Sequence, residues 1–298
     1  MTVVAATQGS AADRAAVKSA VTRVGVVRYL NTRPLIAGLD ALEGLELRRE
    51  VPSELVGTLE RGETHAALCS SIDYQASSTP MVALPVGLLG CDGPTLTVQV
   101  FSRVPFERVR RLHADPDSHT SRALAQIVAM ERFGRVPEMV DGLPSLPDGE
   151  GAEAMLLIGD KVVHHAPSER DFPHRIDLGL AWKQATGLPF TFAIWMAPRP
   201  ADEGAHARLR TLAQVLDHQR RRNAMRLDAL AAIEGRAHGW QAPLAHRYLR
   251  ELLRFEWNDG QRAGLEAFWR KAADLRLIGA VRPLELLEAA CRPAPACD

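Results

Sequence analysis

The residues of this chain best suited to chemistry are hydroxyls and one amide, set at the ends of short apolar runs. Asn31 and Thr32 follow the run VGVV, Ser70 and Ser71 follow HAALC, and Gly159 and Asp160 follow AMLLI. Ser118, His119, Thr120 and Ser121 stand just before a stretch in which Leu124, Ile127 and Val128 recur at helical spacing. In open α/β sheets, ligands bind at the carboxyl ends of strands, so such positions are natural walls of a site. Hydroxyl and amide groups beside a helix N-terminus suit carboxylates and charge developing on an oxygen. No base stands out. Asp160 and His119 are the ionisable groups in these stretches, with Asp73 and Asp92 near in sequence. Read locally, Asn31 or Thr32 could equally cap a helix entered at Pro34, and Ser118 or Thr120 could cap the later one.

Other chemistries lack their motifs. GxxxxGK[ST] is absent, and no GxGxxG follows a strand; GxSxG and HExxH are missing too. Cys69, Cys91, Cys291 and Cys297 form no CxxC pair and have no His cluster at zinc spacing. No metal site is expected, and this cysteine usage fits a reducing cytoplasm. Lys plus Arg and Asp plus Glu number 36 each, so no basic field points to nucleic acid. The run Arg220–Arg222 with Arg226 reads as a solvated helix face. No apolar run approaches the roughly 20 residues of a membrane span. Residues 1–22 read as a mobile extension, with a short helix over 11–21, and not as a secretory signal. No feature fixes an oligomeric state.

The elements that must position these groups follow an α/β pattern. Strands are expected at 24–27, 45–51, 65–69 and 81–89, with helices at 34–42 and from Ser53 to Gly62, where Ser53 is a plausible N-cap. Residues 95–101 and 190–196 alternate apolar and polar, as strands with two different faces do. Between them lie a helix at 122–133 closed by Gly134, strands at 136–140 and 154–158, a Pro/Gly loop at 142–151 and a helix at 178–186. Beyond 201 the pattern is helical, at 201–234, 243–255, 261–273 and 283–290. An insertion between two alternating strands predicts a two-lobed α/β chain. Lobe 1 would comprise 23–100 and 197–298, lobe 2 would be 101–196, and the two strands would cross between them as a hinge that closes over a ligand.

Several stretches go further together. VGVVRYLNTRPL, VPSELVGTLERGE, HAALCSSIDY, DGPTLTVQVFSRVPFE, DPDSHTSRAL, AMLLIGD and LGLAWKQATGLPFTFAIW occur in this order, with weaker matches in YLRELLRFEW and GLEAFW. The set resembles the menaquinone-biosynthesis chorismate dehydratases of the futalosine pathway. The resemblance implies a type II periplasmic-binding-protein fold and dehydration of chorismate to 3-[(1-carboxyvinyl)oxy]benzoate, without metal or organic cofactor. It implies a cleft with Asn31, Ser71 and Asp160 in catalytic roles. Substrate contacts would come from Thr32, Ser53, Ser70, Thr97, Ser118, His119, Thr120, Ser121 and Gly159. Two departures stand out. His119 occupies the place of an expected Arg, with Arg122 a possible substitute for its charge, and Thr97 stands where Ser is common. Either the substrate's own enolpyruvyl carboxylate or Asp160 would take the proton. The alternatives are a solute-binding protein without turnover and the sister naphthoate-forming enzyme of the same pathway.

Overall fold

The computed structural model describes residues 21–145 and 148–288. Most of the expected N-terminal extension with its short helix, Cys291, Cys297 and the end of the helix expected at 283–290 lie outside the described residues. Thr22, given to the extension, already opens the first strand.

Eleven strands form two sheets among the described residues: β1 (Thr22–Val26), β2 (Leu45–Arg49), β3 (Ala66–Ser70), β4 (Met81–Cys91), β5 (Val98–Ser102), β6 (Arg111–Ala114), β7 (Glu138–Asp141), β8 (Ala154–Ile158), β9 (His174–Asp177), β10 (Phe190–Pro198) and β11 (Leu253–Arg254). One sheet runs β11-β4-β10-β3-β1-β2 and the other β7-β6-β8-β5-β9. β1, β2 and β3 are parallel, as are β6, β7 and β8. β3 and β8 are buried along their whole length, as strands covered on both faces must be, and their sequences AALCS and AMLLI are accordingly almost unbroken apolar runs. The helix Glu203–Met225 packs on β4, and Asp259–Asp274 packs on β10.

The chain therefore has two lobes of mixed α/β structure. The two alternating strands both exist, but each belongs to one sheet. β5 pairs with β8 and β9, and β10 pairs with β3 and β4. The strands themselves do not cross. The chain passes from one sheet to the other in the segment 92–97 and returns through the helix Leu178–Thr186 and residues 187–189. The second sheet thus spans 98–177 and not 101–196. Alternation reports which faces a strand buries, and it is the same in either sheet.

Other local corrections have local causes. The helix expected at 34–42 is a single turn, Arg33–Ile36, followed by a 3-10 turn, because Gly38 sits at φ +88°. Ser53 caps nothing. It lies inside a 3-10 turn, Pro52–Glu54, that leads into the helix Leu55–Glu60. The long helix from 201 breaks at Arg226 into Glu203–Met225 and Leu227–Ala237. The helix expected to reach 255 ends in a wide turn, Tyr248–Leu252, and Leu253–Arg254 then pairs with Gly90–Cys91 at the sheet edge. Residues 283–288 contain no helix. Arg220 is no solvated charge, since it bonds Asp217, Glu256 and the Val86 carbonyl.

The first crossing is held by one carboxylate. Asp177 accepts from the backbone N–H groups of Thr95 and Leu96, at 2.9 and 2.8 Å, and caps its own helix through Leu180 N–H. Leu96 takes a positive φ of 66°, which a branched side chain adopts only when its surroundings force it. Burial pushes the Asp177 carboxyl up, and the N–H donors pull it back. Asp177→Ala removes a helix cap and leaves two backbone donors unpaired. It should lower unfolding free energy by about 2–4 kcal/mol in urea titration of the full chain; a loss below about 1 kcal/mol would refute the anchoring role.

Candidate functional site

A cavity of about 630 Å³, partly open to solvent, lies where the carboxyl ends of the strands in the two sheets face each other. Lobe 1 contributes the segment after β1 and the end of β3. Lobe 2 contributes the end of β8 and the turn that opens the helix His119–Phe133. The first crossing supplies Thr95 and Thr97, and the C-terminal region supplies Tyr248 and Leu253. Val27, Leu68, Leu89, Ile158 and Phe192 give it an apolar floor. Among the described residues, no Asp, Glu, His, Lys or Arg lines it.

Asn31 is in the wall, and its buried Oδ1 has no hydrogen-bond partner. A buried acceptor left open costs about 1–3 kcal/mol, so it is poised for a donor on a ligand. Neither Asn31 nor Thr32 caps the following helix through its side chain. Thr32 is wholly buried, and its hydroxyl is directed back at the Val27 and Tyr29 carbonyls at 3.1 and 3.0 Å. It thereby sets the bend that presents Asn31.

Ser70, Thr97, Ser118, Thr120, Ser121 and Gly159 also line the cavity. Ser118 is the cap of its helix, its Oγ accepting from Ser121 N–H at 3.2 Å. Thr120 Oγ1 takes the Ile72 N–H across the cleft at 3.3 Å. The helix runs fifteen residues, and its first N–H groups point toward the cavity end. Gly159 adopts φ +59° and ψ −144°, and a Cβ there would lie 3.2 Å from the Tyr29 ring of the other lobe. Only glycine fits both the backbone and the close approach.

Four expected residues fall elsewhere. Ser53 is outside the wall, where its neighbour Pro52 stands instead. Ser71 is wholly buried behind the wall. Its hydroxyl donates to the Thr191 carbonyl at 2.8 Å, and its own carbonyl accepts from Trp269 Nε1. Asp160 follows Gly159 but turns away from the cavity and accepts from Trp240 Nε1 at 3.1 Å. His119 bonds Asp73 of the other lobe, Nδ1 to Oδ1, at 2.7 Å, while Arg122 pairs with Asp141 at 2.5 Å. Neither cation reaches the cavity to replace the expected Arg. A helix turn spaces its side chains by about 100°, so adjacent residues in one motif face different surroundings.

Sequence reasoning missed three polar wall residues, Tyr29, Thr95 and Tyr248. Tyr248 OH and Thr97 Oγ1 lie 2.6 Å apart, and the Asn31 side chain also bonds the phenol. Burial raises the Tyr248 hydroxyl well above its ordinary value and pushes Tyr29 up to about 12, so both are neutral donors. Both tyrosines lie in stretches whose pattern stood out, YLNTRPL and YLRELLRFEW, but nothing in their spacing joins residues 29, 97 and 248.

Comparison with known proteins agrees with this architecture. A family model described as menaquinone biosynthesis matches residues 22–274. The chain belongs to that family. The chorismate dehydratase of Thermus thermophilus is 30% identical over 261 residues, covering 82% of this chain and 93% of that one. Among solved structures, a protein from Archaeoglobus fulgidus aligns with a TM-score of 0.64 at 14% identity, over 86% of this chain and 98% of that one. The periplasmic aliphatic sulphonate binding protein of Escherichia coli aligns at 0.58 and 14%, over 87% and 93%. At such identities the likeness is one of fold, the two-lobed periplasmic-binding-protein fold that members of the menaquinone-biosynthesis family were expected to share. No described helix is long and apolar enough to cross a membrane.

The His119–Asp73 pair joins the lobes and depends on pH. The bond to Asp73 raises the His119 pKa above 6.5, while burial pushes the Asp73 carboxyl up. The pair stands between those two raised values. Its stabilisation is full below the ordinary imidazole pKa, down to where Asp73 protonates, and is lost as pH rises through the raised His119 value. The stability gap between the wild-type chain and His119→Ala should be largest in mildly acidic buffer and shrink in alkaline buffer, where the neutral imidazole keeps only a hydrogen bond. Thermal unfolding against pH measures it, and a gap that widens with pH would refute the assignment.

Proposed function

We propose that this chain dehydrates chorismate to 3-[(1-carboxyvinyl)oxy]benzoate, as a hydro-lyase of menaquinone biosynthesis in the cytoplasm, and does so in the cavity between the lobes. Chorismate carries a ring carboxylate and an enolpyruvyl carboxylate. Dehydration removes the proton on the ether-bearing ring carbon and the hydroxyl on the adjacent carbon. That proton is conjugated through a ring double bond to the ring carboxylate, so its loss gives a delocalised dienolate. Expulsion of the hydroxyl, which leaves as water with the proton taken from the ring carbon, then gives an aromatic ring.

The observation that carries the mechanism is the lining. Among the described residues the walls hold hydroxyls, an amide, a helix N-terminus and an apolar floor, but no carboxylate, imidazole or amine to act as base. The substrate's enolpyruvyl carboxylate is then the base, folded over the ring by the cavity walls. The Ser118–Ser121 turn and the helix N-terminus hold a carboxylate by N–H and hydroxyl donors, which suits a site with no cation. Asn31 binds the departing hydroxyl through its unpartnered Oδ1 and holds it in line for loss. Thr97, backed by Tyr248, steadies the negative charge that develops on the substrate. Val27, Leu68 and Phe192 take the ring and exclude water.

Incubation with chorismate, followed by chromatography and proton NMR, should show chorismate lost and an aromatic enol ether formed. Chorismate bound without turnover would leave a binding protein on this fold. Neither binding nor turnover, with conversion of a naphthoate precursor instead, would point to the sister enzyme. Asn31→Ala should lower kcat by about 10²–10³-fold with the fold intact, and near-native turnover would remove Asn31 from the mechanism.

A further inference from the structure

Asp160 is a half-buried acidic group beside the cavity wall that does not enter the cavity. Its neighbour Gly159 is in the wall, and its carboxylate points the other way, to the indole N–H of Trp240 on the C-terminal segment. The Leu30 N–H, one residue before Asn31 and in the opposite lobe, is directed at the same carboxylate. The Trp240 ring stacks on the Tyr248 ring, with centroids 4.9 Å apart and planes within 18°. The Tyr248 hydroxyl in turn meets Thr97 Oγ1 at 2.6 Å and the Asn31 side chain. A continuous path thus runs from Asp160 through two stacked rings to two polar groups of the wall. The same C-terminal segment is tied to the loop before Asn31, where His238 Nε2 bonds the Arg28 carbonyl at 2.9 Å.

We infer that Asp160 is a positioning residue: it holds Trp240, and through Trp240 and Tyr248 it fixes the direction of the Thr97 hydroxyl and the Asn31 amide. This rests on the reading of the cavity as the chorismate site. The carboxylate and Leu30 belong to different lobes, and so do Asp160 and Trp240. The contacts therefore form only when the lobes are together, and the wall is set at the moment the substrate is enclosed. Tyr248 is neutral and needs an alignment, since its one hydroxyl must meet Thr97 Oγ1 and the Asn31 amide N–H at once. A stacked indole pinned at its N–H supplies that alignment. No proton passes along the path, and none needs to. Trp240 has only a donor to offer, so Asp160 serves as acceptor alone.

The test compares Asp160→Ala, Asp160→Asn, Trp240→Phe and the double variant Asp160→Ala/Trp240→Phe in chorismate turnover. Asparagine keeps an oxygen that can accept from the indole, so Asp160→Asn should stay within about tenfold of wild type. Asp160→Ala and Trp240→Phe should each lower kcat/KM by about 10–100-fold. The double variant should lose no more than the worse single one, because both changes cut the same path. The pH profile of kcat/KM for Asp160→Asn should keep the limbs of the wild type. A loss of 10³-fold or more in Asp160→Asn, with an altered limb and a near-native Trp240→Phe, would make Asp160 the base and overturn the inference. Losses that multiply in the double variant would overturn it as well. Trp240→Phe keeps the ring and the core, so it carries the test where Asp160→Ala unfolds. Wild-type turnover is the control for the function itself. Its absence overturns the chorismate reading, whereas multiplicative losses in an active enzyme overturn the positioning role alone.

Discussion

The carboxylate of Asp177 is the interaction on which the rest of the site depends. It sits at the end of β9 and receives the N–H groups of Thr95 and Leu96 as the chain leaves one sheet for the other. That bond places the crossing against lobe 2, and with it Thr97. It also caps the helix by which the chain returns. One buried acceptor therefore holds both passages between the sheets. Its own desolvation is offset by several backbone donors, an arrangement in which a buried carboxylate is tolerated without a cationic partner.

Each lobe alone offers half a site. The parallel strands of both sheets end at the cleft, where their last residues lose ladder partners and must find others. Small hydroxyl residues meet that need in two ways. Some satisfy the protein itself, as Ser71 and Thr32 do. Others bridge the lobes or face the cavity, as Thr120 and Thr97 do. The charged groups of the cleft are spent on the protein: Asp73 on His119, Arg122 on Asp141, and Lys161 on Asp115 at 2.6 Å. What remains inside is neutral: hydroxyls, one amide and an apolar floor. In such a space the charges of a dianionic substrate interact strongly with oriented dipoles, because little water screens them.

Much of this was legible in the residues. The buried strands read as apolar runs, β8 and the helix Leu178–Thr186 at their observed bounds. The polar residues after those runs marked where a cleft would be, and Asn31 was among them. The reading failed where a side chain's direction depended on neighbours distant in sequence. Ser71 and Asp160 lie one residue from wall residues yet face away from the cavity. His119 lies between two wall residues and turns to Asp73. β6 and β9, short and partly polar, gave no periodic signal and were missed.

The two-lobed α/β pattern, the polar strand ends and the resemblance that named a substrate are all readable along the chain, because burial periodicity and local motifs are written in neighbouring residues. Folding in three dimensions settles which of those polar residues share a cavity, that no charged side chain among the described residues lines it, and that Tyr248 stands behind Thr97. Those facts arise from contacts between residues far apart in the chain, formed when two sheets and a C-terminal segment close on one another. Spacing along a chain carries no information about a hydrogen bond 2.6 Å long between residues 97 and 248.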